Sequence, residues 1–329
     1  PGRIVDLYRF ERAALQRAIA LAGPDVVHAH WAYEFAWSAV ATGLPHLITC
    51  HDAPFLIARY YRGRGFRLSG YRWLRALMAW HVLRQARAVT TVSPYMVDQI
   101  QGLCRAAVQV IPNPIPDAAL ALRQEERSGP ARILMVCNGW DRHKNPEPAL
   151  RAMALLNLRL PEAELVAVGH GFAPGEAGSQ WWRAQSLPGN VDFRGPQDHA
   201  TVLAWMARSD LLLHPSLEES FGAVLAEAMA IGLPVVAGAR SGAVPWVVGG
   251  AGRLVDVTRP EAIADALFAL LSDRGEARRL GELGRRQSRA RFAPDAVALA
   301  YDQAYQQVLQ RAGRGGTRPA MGAPGGRPG

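Results

Sequence analysis

Cysteine is scarce. The 329 residues hold three, Cys50, Cys104 and Cys137, far apart and without CxxC or Cys/His ligand spacing. Isolated thiols in odd number exclude a disulfide framework and a zinc ribbon, and they suit a reducing compartment, so a cytoplasmic location is expected. Long apolar runs are missing too: nothing approaches the roughly 20 residues of a membrane span, and no signal peptide is recognisable. No strand-like segment leads into GxGxxG with an acidic residue about 20 positions later, which argues against a nicotinamide-dependent dehydrogenase. The chain begins at Pro1 rather than Met, and its first half lacks an opening strand with a Gly-rich turn. An upstream piece is therefore expected to be missing.

What is present fills two cores. Hydrophobic residues make up 49% of a chain too long for one ordinary domain. Lys and Arg number 37 against 28 Asp and Glu, a net charge of +9. That excess would suit nucleic acid, an anionic membrane or a phosphorylated substrate, but most of it is Arg in an Ala/Arg/Gly-rich chain and alone decides little. Residues 5–22 have helical periodicity and stop at Gly23-Pro24. DVVHAHW (25–31), HLITCHD (46–52), AVTTVSP (88–94) and VQVIPNPIPD (108–117) read as strands separated by helical stretches, the pattern of parallel βα units. Ser93 is placed to cap a helix, and Asp52 is a further candidate cap. Prolines 112, 114 and 116 forbid a regular element and place a linker at 112–130. The second half alternates more completely: RILMVCNG, ELVAVGHG, VDFRG, DLLLHPS, PVVAG and GRLVDV are apolar strands with helical crossovers between them. The expected class is α/β, with two Rossmann-like doubly wound domains. The expected boundaries are 1–111, linker 112–130, 131–292, a last helix 293–311 returning to the first domain, and a disordered Gly/Arg/Pro tail 312–329.

One stretch organises the second half, HPSLEESFGAVLAEAMAIGLP from His214 to Pro234. A buried strand runs through a short acidic turn into a helix. The amides of Ser220, Phe221 and Gly222 at the helix start would carry the positive end of its dipole, an arrangement suited to phosphate. Glu219 and Glu227, with seven residues between them, flank that anion site and could grip two hydroxyl-bearing parts of one ligand. The bland alternative is that Glu219 favours the helix N-terminus and Glu227 is a solvated helix residue. Against it, Gly222 would cost roughly 1 kcal/mol in a purely structural helix.

With its flanks, PS, E-x7-E and GLPVV, this segment resembles the donor-binding signature of the retaining glycosyltransferases of family 4, the glycosyl transferases group 1 with the GT-B fold. DVVHAHW, ITCHD, AVTTVSP, VIPNPI, CNGWDRHKN, VAVGHG, VDFRG and GRLVDV resemble that family's successive blocks in order. The resemblance implies two domains facing a cleft, and a sugar moved from a nucleotide-sugar donor to an acceptor hydroxyl (glycan, lipid-linked or small-molecule) with retention. It implies Glu219 on the donor sugar, Glu227 on the ribose, and Lys144 on the diphosphate. Gly139 stands where the family usually has an arginine, a role Arg142 could take, with His143 a weaker candidate. Gly169 and Gly171 resemble the turn approaching the base, Arg194 a base-contacting position, and His51 the histidine near the transferred sugar. His30 sits at a neighbouring strand end. Trp246 departs from the pattern, standing where an acidic residue often follows the proline. Catalytic roles are expected for His51, Lys144 and Glu219.

No carboxylate is placed as a double-displacement nucleophile, so front-face substitution with the leaving phosphate assisting the acceptor proton is expected. Neither a metal nor a resident cofactor is required, and no nucleic acid partner is expected. A non-catalytic, truncated nucleotide-sugar-binding protein is the alternative. The Arg/aromatic tract 59–87 could lie on an anionic membrane, peripheral to the inner face. Otherwise it is a loop and an ordinary helix from about Tyr71, with Leu74, Leu77, Met78, Ala79 and Val82 as its core stripe.

Overall fold

A computed structural model describes residues 6–62 and 65–314. Gly63 and Arg64 of the basic tract, and the part of the expected tail beyond 314, lie outside those residues. The chain forms two compact units. One comprises the residues up to Thr90, Ile100–Gln109 and those from Ala300; the other comprises Thr91–Gln99 and Val110–Leu299.

The first unit is built on a four-stranded sheet in sequence order: β1 (Val27–His30), β2 (His46–Cys50), β3 (Val89–Thr91) and β4 (Val108–Val110). β1 and β2 are parallel, with Val27 opposite His46. Every residue of β2 is buried, which is why the segment reads as a near-continuous apolar run. The opening helix, Arg9–Ala22, ends on Gly23 with φ 55°, whose amide returns to the Ile19 carbonyl, as the Gly-Pro pair suggests.

The basic aromatic tract differs from expectation. It holds two helices, Pro54–Tyr60 and Phe66–Gln85, where a loop and one shorter helix were expected. Pro54 starts the first because its missing N–H costs nothing there. Within the longer helix Met78, Ala79 and Val82 are buried, but Leu77 is 54% exposed, together with Trp73 and Trp80. Positions 73, 77 and 80 share one helical face, so this helix carries apolar residues on both sides.

In the second unit six strands form one sheet: β5 (Arg132–Val136), β6 (Glu164–Val168), β7 (Asn190–Gly195), β8 (Leu211–His214), β9 (Val235–Gly238) and β10 (Gly252–Val255). Their order is β10-β9-β8-β5-β6-β7 and every neighbouring pair is parallel. The chain winds outward from β5 to β7, then returns to the other side of β5 with β8. Helices cover the sheet, and Ile133, Met135, Leu165, Leu211, Leu213 and Val236 lie in the core beneath them.

Several elements depart from the sequence reading. The proposed linker contains a helix, Asp117–Ala121, because no proline follows Pro116 until Pro130, and Pro116 itself is tolerated just before a helix. Ile115 and Ala119 are buried, Gln124 and Glu125 donate backbone hydrogen bonds to Ile231 and Ala207, and Arg285 donates to the Leu122 carbonyl. The helices Ala177–Ala184 and Val244–Val248 are additional. The last helix runs Pro294–Arg314, three residues into the segment expected as tail, and its residues from Ala300 group with the first unit. There Tyr305 hydrogen-bonds His28 at 2.8 Å and Tyr301 packs on the same ring.

After β6 the chain turns at Gly169, with φ 126°, against the end of β5. A Cβ there would stand 2.0 Å from the Cys137 carbonyl oxygen, whereas one at Gly175, φ 89°, would meet nothing within 4 Å. Gly169→Ala is therefore expected to lower unfolding stability by about 3 kcal/mol or more. Gly175→Ala should cost only the left-handed backbone term of about 1–2 kcal/mol. Denaturant midpoints of the two variants measure the difference.

Candidate functional site

Strand order reverses between β5 and β8, and the carboxyl edge of a doubly wound sheet at such a reversal is where two adjacent loops diverge and leave a crevice. Lys144 arrives in the loop after β5 and Glu219 in the loop after β8. The first loop is shaped by Asp141, whose Oδ1 accepts hydrogen bonds from the amides of His143 (2.8 Å) and Lys144 (3.1 Å). Asn145 follows in the left-handed region, φ 51°, which Asn tolerates, and its side-chain amide donates to the Pro215 and Val257 carbonyls. Those bonds tie the loop after β5 to the ends of β8 and β10. In the second loop the Glu219 carbonyl accepts the Ala243 amide at 2.9 Å. Gly242 allows this approach, since a Cβ there would lie 2.6 Å from the same oxygen.

Lys144 Nζ donates to Glu219 Oε1 at 2.7 Å, with both side chains largely buried. His214, the last residue of β8 and 4% exposed, places Nε2 at 3.3 Å from the same oxygen but without hydrogen-bond alignment. Both its ring nitrogens are buried without a hydrogen-bond partner. Burial of Glu219 works to raise its pKa, but His214 and Lys144 outweigh it and bring the carboxyl down to about 2. Lys144 shows the converse: desolvation disfavours its charge, and Glu219 more than restores it.

A cavity of about 330 Å³ opens beside this pair, lined by Lys144, Glu219, His214, Gly169, Gln197 and the helix-start residues Gly222 to Val224, among others. Gly222, φ 86°, is the N-cap of the helix Ala223–Ile231, so the helix begins after it. Among the described residues none accepts a hydrogen bond from the amides of Gly222, Ala223 and Val224. The amides of Ser220 and Phe221 have no acceptor among the described residues either, so the free amides expected at Ser220–Gly222 continue into the first residues of the helix. The Ser220 carbonyl takes the Ser93 hydroxyl at 2.6 Å, and Ser93 also caps its helix through the Met96 amide. The Phe221 ring is buried against Phe292 and Trp246, and this packing is what Trp246 does in place of an acidic residue.

Other expected site residues stand apart from the cavity. Glu227 is 9% exposed, not solvated, and its Oε1 takes His199 Nε2 at 3.0 Å. Burial raises its pKa and His199 opposes that. Gly139 donates its amide to the His170 carbonyl. Arg142 is exposed, and Arg194 pairs with Asp192 at 2.6 Å on the surface. A larger groove, about 530 Å³, lies on the opposite edge of the sheet, by Ala131, Asp210 and Pro234, which precede strands, so it is not where a doubly wound sheet presents ligand-binding loops. His214 and His199 escaped the sequence reading. The first was visible as the residue opening the HPS segment, but its meaning depends on Lys144, 70 positions earlier.

In the first unit His51 Nε2 meets His30 Nδ1 at 2.7 Å, with the Trp31 ring beside it. Burial, with His30 adding to it, lowers the His51 pKa to about 4, so the ring is neutral near pH 7. Asp52 is no helix cap: it accepts the Tyr33 hydroxyl at 3.0 and 3.1 Å, and the following helix is capped by Ala53 without a side-chain bond.

An all-parallel doubly wound unit with a lysine–carboxylate pair at its reversal point, in one chain with a smaller α/β unit, has the domain composition of the GT-B fold. The chain belongs to the glycosyl transferases group 1, which residues 121–287 match; residues 3–119 match Glycosyltransferase Family 4. It is 32% identical over 243 residues to D-inositol 3-phosphate glycosyltransferase of Corynebacterium jeikeium, covering 68% of this chain. It is 29% identical over 241 residues to N-acetyl-alpha-D-glucosaminyl L-malate synthase of Bacillus anthracis, covering 69% of this chain. The matches span 58% and 61% of those two proteins. Among solved structures, sucrose-phosphate synthase from Thermosynechococcus elongatus superposes with a TM-score of 0.75 at 24% identity, over 94% of this chain and 80% of that one, a likeness of fold.

Glu219 is more acidic in the folded chain, about 2, than its ordinary value of 4.5. Its ionisation therefore stabilises the fold fully above pH 4.5, and that contribution is lost as pH falls towards 2. Glu219→Gln is expected to be less stable than the unaltered protein by about 3 kcal/mol at pH 7. The gap should close between pH 4.5 and 2, as urea unfolding at a series of pH values would read.

Proposed function

We propose that this chain transfers a sugar from a nucleotide-sugar donor to an acceptor hydroxyl, with retention of anomeric configuration. The observation that carries the reading is the meeting of Lys144, Glu219 and three unpaired helix-start amides around one cavity. Lys144 and the amides of Gly222 to Val224 supply positive charge where the leaving diphosphate gathers negative charge, and such fixed electrostatics are usually the largest catalytic contribution. Glu219, held ionised, accepts hydrogen bonds from donor-sugar hydroxyls, and Glu227 accepts from the ribose once His199 yields its place. Gly169 lines the same cavity, and Arg194 and the Gly139–Arg142 turn, outside it, are assigned to the nucleotide end of the donor. His51, neutral and tied to His30, serves as a hydrogen-bonding group near the transferred sugar. The acceptor oxygen attacks on the face the phosphate leaves, and its proton passes to a phosphate oxygen. Neither a metal nor a resident cofactor enters this scheme, the donor being a co-substrate. The acceptor is a glycan, a lipid-linked sugar or a small molecule; the two relatives are named for small polar molecules, D-inositol 3-phosphate and L-malate.

The exposed face of Trp73, Leu77 and Trp80, on a helix with four arginines and no acidic residue, supports peripheral attachment to an anionic membrane from the cytoplasmic side. Among the described residues no helix is long and apolar enough to cross a membrane.

Calorimetry with UDP, GDP and ADP and with their glucose, mannose and N-acetylglucosamine derivatives tests the donor site. One nucleotide should bind, Lys144→Ala should weaken it at least tenfold, and Glu227→Ala about tenfold. Absence of binding by any of them overturns the reading, whereas binding without transfer or hydrolysis would leave a donor-binding protein only. The anomeric configuration of product, read by proton NMR, decides retention. Separately, the protein should co-float with vesicles containing phosphatidylglycerol, and Trp73→Ser with Trp80→Ser should release it; no binding to such vesicles at low salt counts against the membrane face.

A further inference from the structure

Lys144 and His214 address a single atom. Both nitrogens stand within 3.3 Å of Glu219 Oε1, one in a 2.7 Å bond and the other short of hydrogen-bond alignment. The His214 ring is 4% exposed with neither nitrogen partnered, although a buried donor left unmade ordinarily costs about 1–3 kcal/mol. This imidazole already helps from 3.3 Å to hold the Glu219 carboxyl down, yet stops short of a hydrogen bond at the wall of a cavity, so it is a partner that can tighten. Lys144 is the cation that the proposed donor would draw away, because a diphosphate carries more charge than one carboxylate. A buried carboxylate left alone by that departure would be destabilised in its ionised form.

We propose that His214 is a positioning residue that takes over Glu219 Oε1 when the donor diphosphate engages Lys144, and so keeps Glu219 aimed at the sugar; this rests on the donor-site reading above. The exchange needs no movement of the backbone. Glu219 is fixed through its carbonyl to Ala243, and His214 sits at the end of β8, paired there with Ala237 of β9. It also separates two tasks: Lys144 and the helix-start amides hold the diphosphate, and the His214–Glu219 pair governs the sugar.

The test uses the whole chain and compares, for each nucleotide that binds, the affinity of the free diphosphate (UDP, GDP or ADP) with that of its sugar derivative. His214→Gln keeps an N–H near the Nε2 position, and His214→Asn moves it towards Nδ1. His214→Leu removes it. Thermal melting checks that each is folded, and the Gln–Asn pair keeps the comparison usable if the Leu variant is not. Free diphosphate also draws Lys144 from Glu219, so it should bind the Asn and Leu variants about threefold more weakly and the Gln variant within about twofold of the unaltered protein. The nucleotide sugar should bind the Asn and Leu variants about tenfold more weakly, with turnover falling at least as far, while the Gln variant stays within about threefold. If Gln and Asn behave alike, or diphosphate and nucleotide sugar weaken by the same factor, the role of His214 is overturned while the donor site stands. If the unaltered protein binds no nucleoside diphosphate, the donor site itself fails and the exchange with it.

Discussion

The reversal of strand order between β5 and β8 is the constraint on which the site depends. Parallel strands send their loops to the same edge, and crossovers of one hand keep successive loops apart until the winding changes direction. Here the change puts the loop carrying Lys144 next to the loop carrying Glu219. Asn145 then fastens one loop to the carbonyl of Pro215, and Gly242 lets a further loop support Glu219 from behind. Both charged residues are held through their backbones as well, Lys144 by its amide on Asp141 and Glu219 by its carbonyl on Ala243.

Two glutamates eight positions apart on one strand–helix unit end in opposite electrostatic states. Glu219 is pulled to about 2 by cationic and polar neighbours, whereas Glu227 is raised by burial that a single exposed histidine only partly offsets. Sequence proximity has little to do with it. The first lies at a sheet edge where other loops converge; the second lies inside a helix whose neighbours are Leu225, Ala226, Ala228 and Met229, all buried. A carboxylate that is fixed and ionised suits a group that must keep one orientation during a reaction. One with its charge only partly compensated suits a group awaiting a ligand.

Much of this was legible in the chain. Buried parallel strands announce themselves as short apolar runs, and nine of the ten strands lie within the segments read as such, β7 starting one residue earlier at Asn190, because nothing in a strand covered on both faces competes with hydrophobicity. Lys144 and Glu219 were legible as chemistry at strand ends. What stayed hidden depended on partners distant in sequence. Arg142 and Arg194 have the right charge in suggestive places, but the one is exposed and the other bonds to Asp192 two residues away. His214 was only a strand residue until Glu219 and Lys144 came alongside. Leu77 fits a core stripe by spacing and faces outward, since a helix with apolar residues on two sides leaves periodicity without a unique answer.

The stretch between Val110 and Pro130 looked like a tether and is upholstery. Ile111, Ile115 and Ala119 are buried, and Gln124 reaches back to the Ser209 carbonyl. Thr91–Gln99 belongs to the same unit although a piece of the other intervenes. A half-protein begun at residue 131 would thus leave open the places that these side chains fill and strip Arg285 of one of its two carbonyl partners. The larger compact unit of this chain is assembled from two separate lengths of sequence, and no single cut delivers it.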